Sequence, residues 1–322
     1  MDELVSVIIP SFRGVESLPK ALKSVLDQSY SNIEIIVVDD NGIGTKEQIE
    51  TEQLINKYKD VLYLKHEKNM NGAAARNTGL NASKGKYICF LDDDDLMLPS
   101  RVEKCVDALK KKPQYNAVFT DVICADKKML ATKLIEVRKE GNCYKDVMLI
   151  DMFFGTGSNM FFSRTVYEKI GDFDERFSRL QDLEYMIRFY RCFESTFIPE
   201  ILLVKSKNSS HTMPNYSKLY QSTQLYYDKF DEEIQTFNNK EKEVFYKMHT
   251  ESLSMAAPKV NSKSEKASLL FILKRFVYLS FPKTKLFLVL NWIRKRIKNL
   301  ALKGKLSQEV KNFLKKYSQV IE

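Results

Sequence analysis

The sequence lacks the features that identify membrane-spanning, secreted and zinc-binding proteins. None of its apolar runs approaches the ~18–20 residues that a spanning helix needs. Its first residues lack the basic region and apolar stretch of a signal peptide. The five cysteines are scattered and form no C-x-x-C pair, which argues against a disulfide framework and against a zinc site. We therefore expect a cytoplasmic protein with reduced thiols.

Several nucleotide-binding and catalytic motifs are also missing. Gly42-Ile-Gly44 follows a predicted strand but lacks the third glycine of a dinucleotide fingerprint. Gly85-Lys86 lacks both the glycine spacing of a P-loop and the Ser or Thr that follows it. Neither G-x-S-x-G nor H-E-x-x-H occurs. These absences argue against dinucleotide-dependent enzymes, P-loop NTPases, α/β-hydrolases and zinc proteases.

Positive charge is distributed unevenly along the 322 residues. The whole chain carries a net charge of +9, but residues 258–322 contain sixteen Lys and Arg and only three acids, a local charge of +13. Residues 1–257 are slightly acidic, at −4. The sequence therefore predicts an acidic body followed by a basic tail, and the net charge describes neither part.

Apolar strands alternate with helices over roughly the first hundred residues. Strands are predicted at 4–9, 33–38, 61–65 and 87–91, and helices behind Ser17, from Thr45 to about Lys59, at 73–82 and from Pro99. This alternation predicts an α/β fold with a mostly parallel sheet flanked by helices. Ligands of such sheets bind at the carboxyl ends of the strands. Acidic groups directly follow two of these ends, at Asp39-Asp40 and at Asp92–Asp95.

The four consecutive carboxylates Asp92–Asp95 would repel one another if they were all ionised and unpaired. One interpretation is a solvated turn whose acids cap the helix that begins at Pro99. The other is a ligand set for a hard divalent cation, Mn²⁺ or Mg²⁺, whose coordination is completed by phosphate oxygens. We favour the cation site, because a buried strand delivers the carboxylates directly to the edge of the sheet.

Seven segments between residues 4 and 205 resemble, in order, the motifs of family 2 glycosyltransferases with the GT-A fold. They are Ser6–Phe12, Ser24–Tyr30, Ile36–Asp40, Gly72–Gly79, Phe90–Asp95 with Pro99, Gly157–Arg164, and Gly171–Phe177 followed by Gln181-Asp182-Leu183-Glu184. One segment alone would be weak, but seven in register identify the chain as a member. The resemblance implies a Rossmann-like GT-A domain with a helical extension at its carboxyl end.

The resemblance also implies which residues bind the donor nucleotide. Pro10 and Phe12 would face the nucleotide, with the Phe12 ring stacked on a base that is uracil in most members; the alternative for Phe12 is a core residue. Asp40 would accept a hydrogen bond from the base imide, and its neighbour Asp39 would brace the loop. Arg76 would bind the diphosphate, unless it is an exposed helix arginine.

Asp92 and Asp93 are likewise predicted to contact the donor, with Asp92 on the ribose. Asp94 is the predicted metal ligand, assisted by Asp93 or Asp95. His211 falls where some GT-A enzymes place a late metal or phosphate ligand; the alternative is a lone surface histidine. Two departures from the family pattern, Arg13 after the aromatic residue and Asn41–Gly44 after the second strand, leave the choice of donor open.

Asp182 is the predicted catalytic base. A sugar hydroxyl needs a proton acceptor as it attacks, and a positioned carboxylate provides one. The alternative role is an N-cap at the start of a helix predicted at 182–193. Position 181 is Gln where many relatives have Glu, but Gln-Asp also occurs in the family. Direct attack opposite the leaving group would invert the anomeric centre.

The sequence divides into a catalytic domain at 1–215 and a helical region at 216–322. The nucleotide-sugar half of the domain is predicted at about 1–100 and the acceptor half at about 101–215. Basic amphipathic helices are predicted at 267–322, where apolar residues and one Trp alternate with basic pairs. They suit an anionic membrane surface, or else a helical bundle with solvated lysines. Nucleic acid is disfavoured, because the aromatic residues lie among aliphatic ones.

These observations predict an inverting, metal-dependent glycosyltransferase at the cytoplasmic face of the cell membrane. The expected donor is a nucleotide sugar, UDP-linked in most members. The expected acceptor is a hydroxyl of a lipid-linked oligosaccharide in cell-surface or capsular polysaccharide synthesis. The alternatives are another surface acceptor, such as a teichoic acid or a glycoprotein, and a non-catalytic subunit that only binds sugar nucleotides.

Overall fold

The computed structural model describes residues 2–126, 128–149, 151, 153–206, 216–256 and 306–318. Within them the strands are β1 Val5–Ser11, β2 Ile33–Asp39, β3 Val61–Lys65, β4 Tyr87–Phe90, β5 Leu96–Met97, β6 Ala117–Ala125, β7 Ala131–Ile135, β8 Phe161–Ser163 and β9 Ser195–Ser206. The helices are α1 Leu18–Leu26, α2 Lys46–Ile55, α3 Gly72–Ala82, α4 Arg101–Lys111, α5 Tyr144–Met148, α6 Arg164–Ile170, α7 Gln181–Tyr190, α8 Tyr216–Lys229, α9 Asp231–Gln235, α10 Asn239–Ala256 and α11 Gln308–Ser318.

One mixed sheet contains the nine strands in the order β3-β2-β1-β4-β8-β6-β9-β5, with β7 paired to β6. The first four strands of this order, β3, β2, β1 and β4, run parallel to one another. The short strand β8 runs antiparallel to both β4 and β6, and the long pair β6 and β9 is again parallel. The prediction of an α/β fold with a mostly parallel sheet is confirmed. The carboxyl ends of β1, β2 and β4 meet at one edge.

Helices cover both faces of the sheet, because successive side chains of a strand point to opposite sides. In β1, Val5, Val7 and Ile9 pack against α1 and α4. Ile8 joins the core on the other face, with α3 and α7. Burial of each such side chain contributes about 1.5–3 kcal/mol, so these strands hold the loops that follow them in fixed positions.

The bounds of α2 and β1 differ in part from those predicted from the sequence. Thr45 Oγ1 accepts a hydrogen bond from Gln48 N at 3.2 Å, so the predicted cap of α2 is confirmed, although α2 ends earlier than predicted. The strand predicted at 4–9 ends too early, because β1 continues through Pro10 to Ser11. Beyond Ile8 the strand pairs with β2 alone, so the missing N–H of proline costs no ladder bond on the other side.

The described helices after residue 215 pack on the preceding fold. Tyr226, Phe230 and Phe245 are buried in the same apolar cluster as α3 and α7. The apolar face of α11 packs against β5 and the end of β9. None of the described helices is long and apolar enough to cross a membrane. Most of the predicted basic amphipathic segment, residues 267–305, lies outside the described residues.

Candidate active site

A cleft of about 440 Å³ opens where β1, β2 and β4 end, beside α3 and the start of α7. Most of the predicted donor and metal residues line it: Pro10, Phe12, Asp40, Arg76, Asp92, Asp93 and Asp94. Asp39 is completely buried behind the cleft wall, and Asp182 lies one residue beyond the lining residue Gln181. His211 lies outside the described residues. One concave site therefore collects side chains that are far apart in sequence.

The loop after β1 presents an aromatic ring to the cleft. The Phe12 side chain is 41% exposed, so the alternative interpretation as a core residue is wrong. The Arg13 guanidinium lies over this ring, 5.1 Å from its centroid. Arg13 has a left-handed backbone (φ 56°), and its N–H donates to Asn41 Oδ1 at 2.7 Å. The loop is thereby fixed with the ring accessible for stacking.

Hydrogen bonds within the protein occupy both acids that follow β2. Asp40 is buried, and its carboxylate accepts bonds from His66 Nδ1, Asn69 Nδ2 and the backbone N–H groups of Met70 and Asn71, at 2.7–2.9 Å. Asp39 accepts from Asn41 and Tyr63. Both acids therefore brace the loops around the cleft. A base imide N–H would have to replace one of these donors or share its carboxylate oxygen, and the predicted bond to Asp40 stays a prediction.

Arg76 is a buried residue of the cleft wall, not an exposed helix arginine. Its Nη2 donates to Asp92 Oδ1 at 2.6 Å, and its Nη1 donates to Gly72 O at 3.3 Å. The Gln181 amide, oriented to suit its neighbours, accepts from Arg76 Nη1 at 2.6 Å and donates to Phe177 O at 3.0 Å. The guanidinium therefore joins the acidic loop after β4 to the first residue of α7.

Asp93 is held at the edge of the cleft by the loop after β1. Its Oδ2 accepts from Ser11 Oγ at 2.7 Å and from Phe12 N at 3.2 Å. A Cβ atom on Gly14 would lie only 1.8 Å from this oxygen, so a larger residue there would displace the Asp93 carboxylate. Burial, with help from the neighbouring Asp92 charge, raises the pKa of Asp93 to about 7.

Asp95 does not line the cleft, unlike the three acids before it. It is buried, and its carboxylate accepts from Ser158 Oγ at 2.7 Å and from Ser206 N at 3.0 Å. Burial first, and then the charges of Asp94 and Asp92, raise the pKa of Asp95 well above its usual range. Asp95 thus ties the acidic loop to the end of β9.

The acidic loop meets the chemical requirements of a divalent cation only in part. Among the described residues, no three His, Cys, Asp or Glu side chains converge enough to hold a metal ion. Asp94 lines the cleft, and burial, together with the charges of Asp92 and Asp93, raises its pKa to about 7. A half-buried carboxylate among like charges fits a cation that takes one or two protein oxygens and completes its shell with phosphate oxygens.

Asp182 lies in the first turn of α7, and its interpretation as the N-cap is wrong. The cap position belongs to Leu180, whose backbone is left-handed (φ 63°). Lys205, near the end of β9, interacts electrostatically with Asp182 and with the acidic loop. Its Nζ donates to Gly155 O at 3.3 Å. Although burial lowers its pKa, Asp95, Asp92 and Asp182 together raise it above the usual range. The predicted base and the acidic loop thus act on one partly buried lysine.

Sequence reasoning missed several residues of this site. Ser158 lies within the segment Gly157–Arg164, but no role was predicted for it. Lys205, Arg179 and Lys218 lie outside the predicted motifs, and Arg179 and Lys218 reach the cleft from the loop before α7 and from α8. No local pattern marks these three residues, because long-range packing alone positions them. Arg13 was visible only as a departure from the family pattern.

The sequence model named "Glycosyl transferase family 2" matches residues 6–171, just over half of the chain. The chain belongs to this family. A family relative in Rickettsia bellii, an uncharacterized glycosyltransferase, is 30% identical over 210 residues. The match covers 63% of this chain but only 30% of that relative's length.

Two solved structures have the same fold. The complex of S. aureus TarS residues 1–349 with UDP-GlcNAc superposes with a TM-score of 0.60 at 13% identity, covering 85% of this chain and 80% of that one. The mannosyltransferase PcManGT of Pyrobaculum calidifontis, in complex with GDP-Man and Mn²⁺, gives a TM-score of 0.52 at 16% identity over 93% and 88% of the two chains. The predicted GT-A fold of this family 2 glycosyltransferase is confirmed.

Proposed function

We propose that this family 2 glycosyltransferase transfers a sugar from a UDP-linked donor to an acceptor hydroxyl with inversion of the anomeric centre. The observation that carries the proposal is the chain of contacts from Asp92 through Arg76 to Gln181. It joins the acidic loop, where a diphosphate would bind, to the helix that bears Asp182. The proposed donor-binding loop is therefore connected to the helix that bears the proposed base.

The cleft suits a nucleoside diphosphate sugar in size and in chemistry. Its volume of about 440 Å³ lies within the range of small-molecule sites. Phe12 offers a ring face for the base, Asp92 an acceptor for the ribose, and Arg76 donors for phosphate. The bound UDP-GlcNAc of the TarS complex supports a UDP-linked donor in the same fold.

Asp94, assisted by Asp93, would hold a Mn²⁺ or Mg²⁺ ion, because the carboxylate of Asp95, the other predicted assistant, already accepts from Ser158 Oγ and Ser206 N. A bound cation would supply Lewis-acid stabilisation of the charge on the departing diphosphate. Arg76 adds charge-assisted hydrogen bonds to the same group. The Mn²⁺ in the mannosyltransferase complex supports this assignment.

Asp182 would take the proton of the attacking hydroxyl. Its position in the first turn of α7 places it one residue beyond Gln181, which lines the cleft. The acceptor then approaches from the α7 side while the nucleotide leaves toward the β1 and β4 loops. Attack from the side opposite the leaving group inverts the configuration in one step, and no covalent intermediate is needed.

Nucleotide release from a panel of UDP- and GDP-sugars, with and without Mn²⁺, tests the proposal. Asp94→Asn should lose the response to Mn²⁺, and Asp182→Asn should bind UDP normally but lose transfer to a sugar acceptor by at least ~100-fold. Asp60→Asn, an exposed acid at the opposite edge of the sheet, is the matched control. Binding of UDP-sugars without any turnover would favour the non-catalytic alternative. Normal transfer by Asp182→Asn would remove it from the mechanism.

The acceptor is proposed to be a lipid-linked oligosaccharide of a surface polysaccharide, reached at the inner face of the membrane. The support is the +13 charge of residues 258–322, and a teichoic acid or glycoprotein acceptor remains the alternative. Truncation after residue 257 is not a clean test, because it also removes α11 from its apolar contact with β5. Replacing Arg294, Lys295 and Arg296 by Gln should weaken binding to anionic vesicles and leave UDP binding unchanged. Unchanged vesicle binding would contradict a membrane role for this basic cluster.

A further inference from the structure

Exposed cations line the same cleft as the half-buried acids Asp92–Asp94. They are Arg13 from the loop after β1, Arg179 from the loop before α7, and Lys218 from α8. The Arg76 guanidinium already pairs with Asp92 in the cleft wall. None of the three exposed cations belongs to the proposed contacts with a donor diphosphate.

The backbone of Arg179 is fixed, although its side chain is exposed. Its N–H donates to Ser222 Oγ at 3.1 Å, and Ser222 is buried on α8. The next residue, Leu180, has a left-handed backbone. The guanidinium makes no ion pair or hydrogen bond with another described side chain, whereas Arg176, three residues earlier, pairs with Asp174 at 2.7 Å. The fold thus presents an uncompensated cation to the cleft.

Lys218 lies on the same side of α8 as this anchor. It precedes Ser222 by four residues, and such residues are neighbours on one face of a helix. Ser222 contacts the loop before α7, so the face that bears Lys218 is turned toward Arg179 and the cleft. Two cations from different elements therefore border one end of the cleft.

Arg179 lies three residues before the proposed base Asp182. Gln181 between them lines the cleft, as Arg179 and Lys218 do. An acceptor whose hydroxyl reaches Asp182 would place its neighbouring parts in this cleft, which the two cations line. The donor diphosphate, in contrast, is assigned to Arg76 and the acidic loop.

We propose that Arg179 and Lys218 form a subsite for an anionic group of the acceptor, a phosphate or a carboxylate next to the hydroxyl that receives the sugar. The proposal rests on the proposed function, because it assumes that Asp182 marks the acceptor side. Guanidinium and ammonium groups bind both kinds of anion through charge-assisted hydrogen bonds. Neutral acceptors of the same shape are then poorer ligands.

Binding of matched charged and neutral probes tests the subsite. The full-length protein, with and without UDP, is titrated with glycerol 3-phosphate beside glycerol, and with methyl glucuronide beside methyl glucoside. We expect the charged member of at least one pair to bind about tenfold tighter, since two exposed charge contacts supply roughly that factor. The pair that shows the preference identifies phosphate or carboxylate as the group.

The double variant Arg179→Gln with Lys218→Gln should abolish that preference. The double variant Lys57→Gln with Lys169→Gln removes the same charge from exposed positions outside the cleft and should keep it. Equal binding of charged and neutral probes to the wild-type protein, or a preference that survives in the cleft variant, overturns the proposal. An equal loss of UDP affinity in that variant also overturns it, because the cations would then serve the donor.

Nucleotide release without acceptor separates this result from the proposed function. The wild-type protein and the control variant Lys57→Gln with Lys169→Gln should release UDP from a UDP-sugar at the same rate. Absence of release from every donor would refute the proposed transferase activity, whatever the probes show. Normal release combined with no preference for charged probes would refute only the anionic subsite.

Discussion

The ion pair between Glu184 of α7 and Lys229 of α8 is expected to contribute measurably to the free energy of unfolding. Glu184 is fully buried and accepts hydrogen bonds from Arg188 Nε at 2.7 Å and Nη2 at 3.0 Å. Lys229, the last residue of α8, donates to Glu184 at 2.7 Å and to Asp174 at 2.7 Å. Its substitution in Lys229→Met leaves a buried carboxylate with one cation instead of two.

The expected loss of unfolding free energy in Lys229→Met depends on the Arg188 contacts that still hold Glu184. Removing one partner of a buried pair costs about 3–5 kcal/mol. Arg188 continues to bind Glu184 through two hydrogen bonds, and Lys229 is itself 24% exposed. We therefore expect the free energy of unfolding to fall by about 2–3 kcal/mol, measured by urea denaturation at pH 7. Lys240→Met, an exposed lysine of α10, is the matched control and should change it by less than about 0.5 kcal/mol.

A double-mutant cycle separates the lost charge from lost packing. Glu184→Gln removes the carboxylate that Lys229→Met leaves with Arg188 as its remaining partner. Its cost in unfolding free energy should therefore be smaller in the Lys229→Met background than in the wild-type protein, by about 1 kcal/mol or more. Additive effects would show that Glu184 and Lys229 do not interact. A loss in Lys229→Met no larger than in the control would refute the assignment of this pair as a stabilising contact.

Two further predictions follow from contacts near the cleft. Gly14→Ala should raise the Kd for UDP about tenfold, because the new Cβ displaces Asp93 and breaks hydrogen bonds to a charged group; if the clash is the cause, Asp93→Ala should leave little further effect for Gly14→Ala to add. The Arg176 guanidinium, with a lysine beside it, holds the pKa of Asp174 well below its usual 3.8. The stability that this provides is present above that unfolded value and is lost as the pH falls through the lower folded value. In urea denaturation between pH 6 and 3, Asp174→Asn should therefore show a weaker loss of stability, and an unchanged slope would contradict the assignment.

The sequence predicted the parts of the fold and site that depend on local patterns. Alternation of apolar strands and helices was sufficient for the parallel half of the sheet, and motif order was sufficient to bring Phe12, Arg76 and Asp92 to one cleft. The antiparallel strand β8 is three residues long, too short for its periodicity to distinguish it. The contact of Gln181 with Arg76 joins residues over a hundred positions apart, and nothing near either residue signals it.

The described residues on the two sides of the predicted boundary at residue 215 pack against each other. The helices after it place Tyr226 and Phe230 in the same apolar cluster as α7, and they supply Lys218 to the cleft. Helix α11 covers β5, which directly follows the acidic loop Asp92–Asp95. Because buried contacts of this kind transmit displacements between neighbouring elements, removing the described helices should disturb the cleft itself. The described part of the basic region, α11, therefore packs on the fold through its apolar face and leaves Lys311, Lys315 and Lys316 exposed.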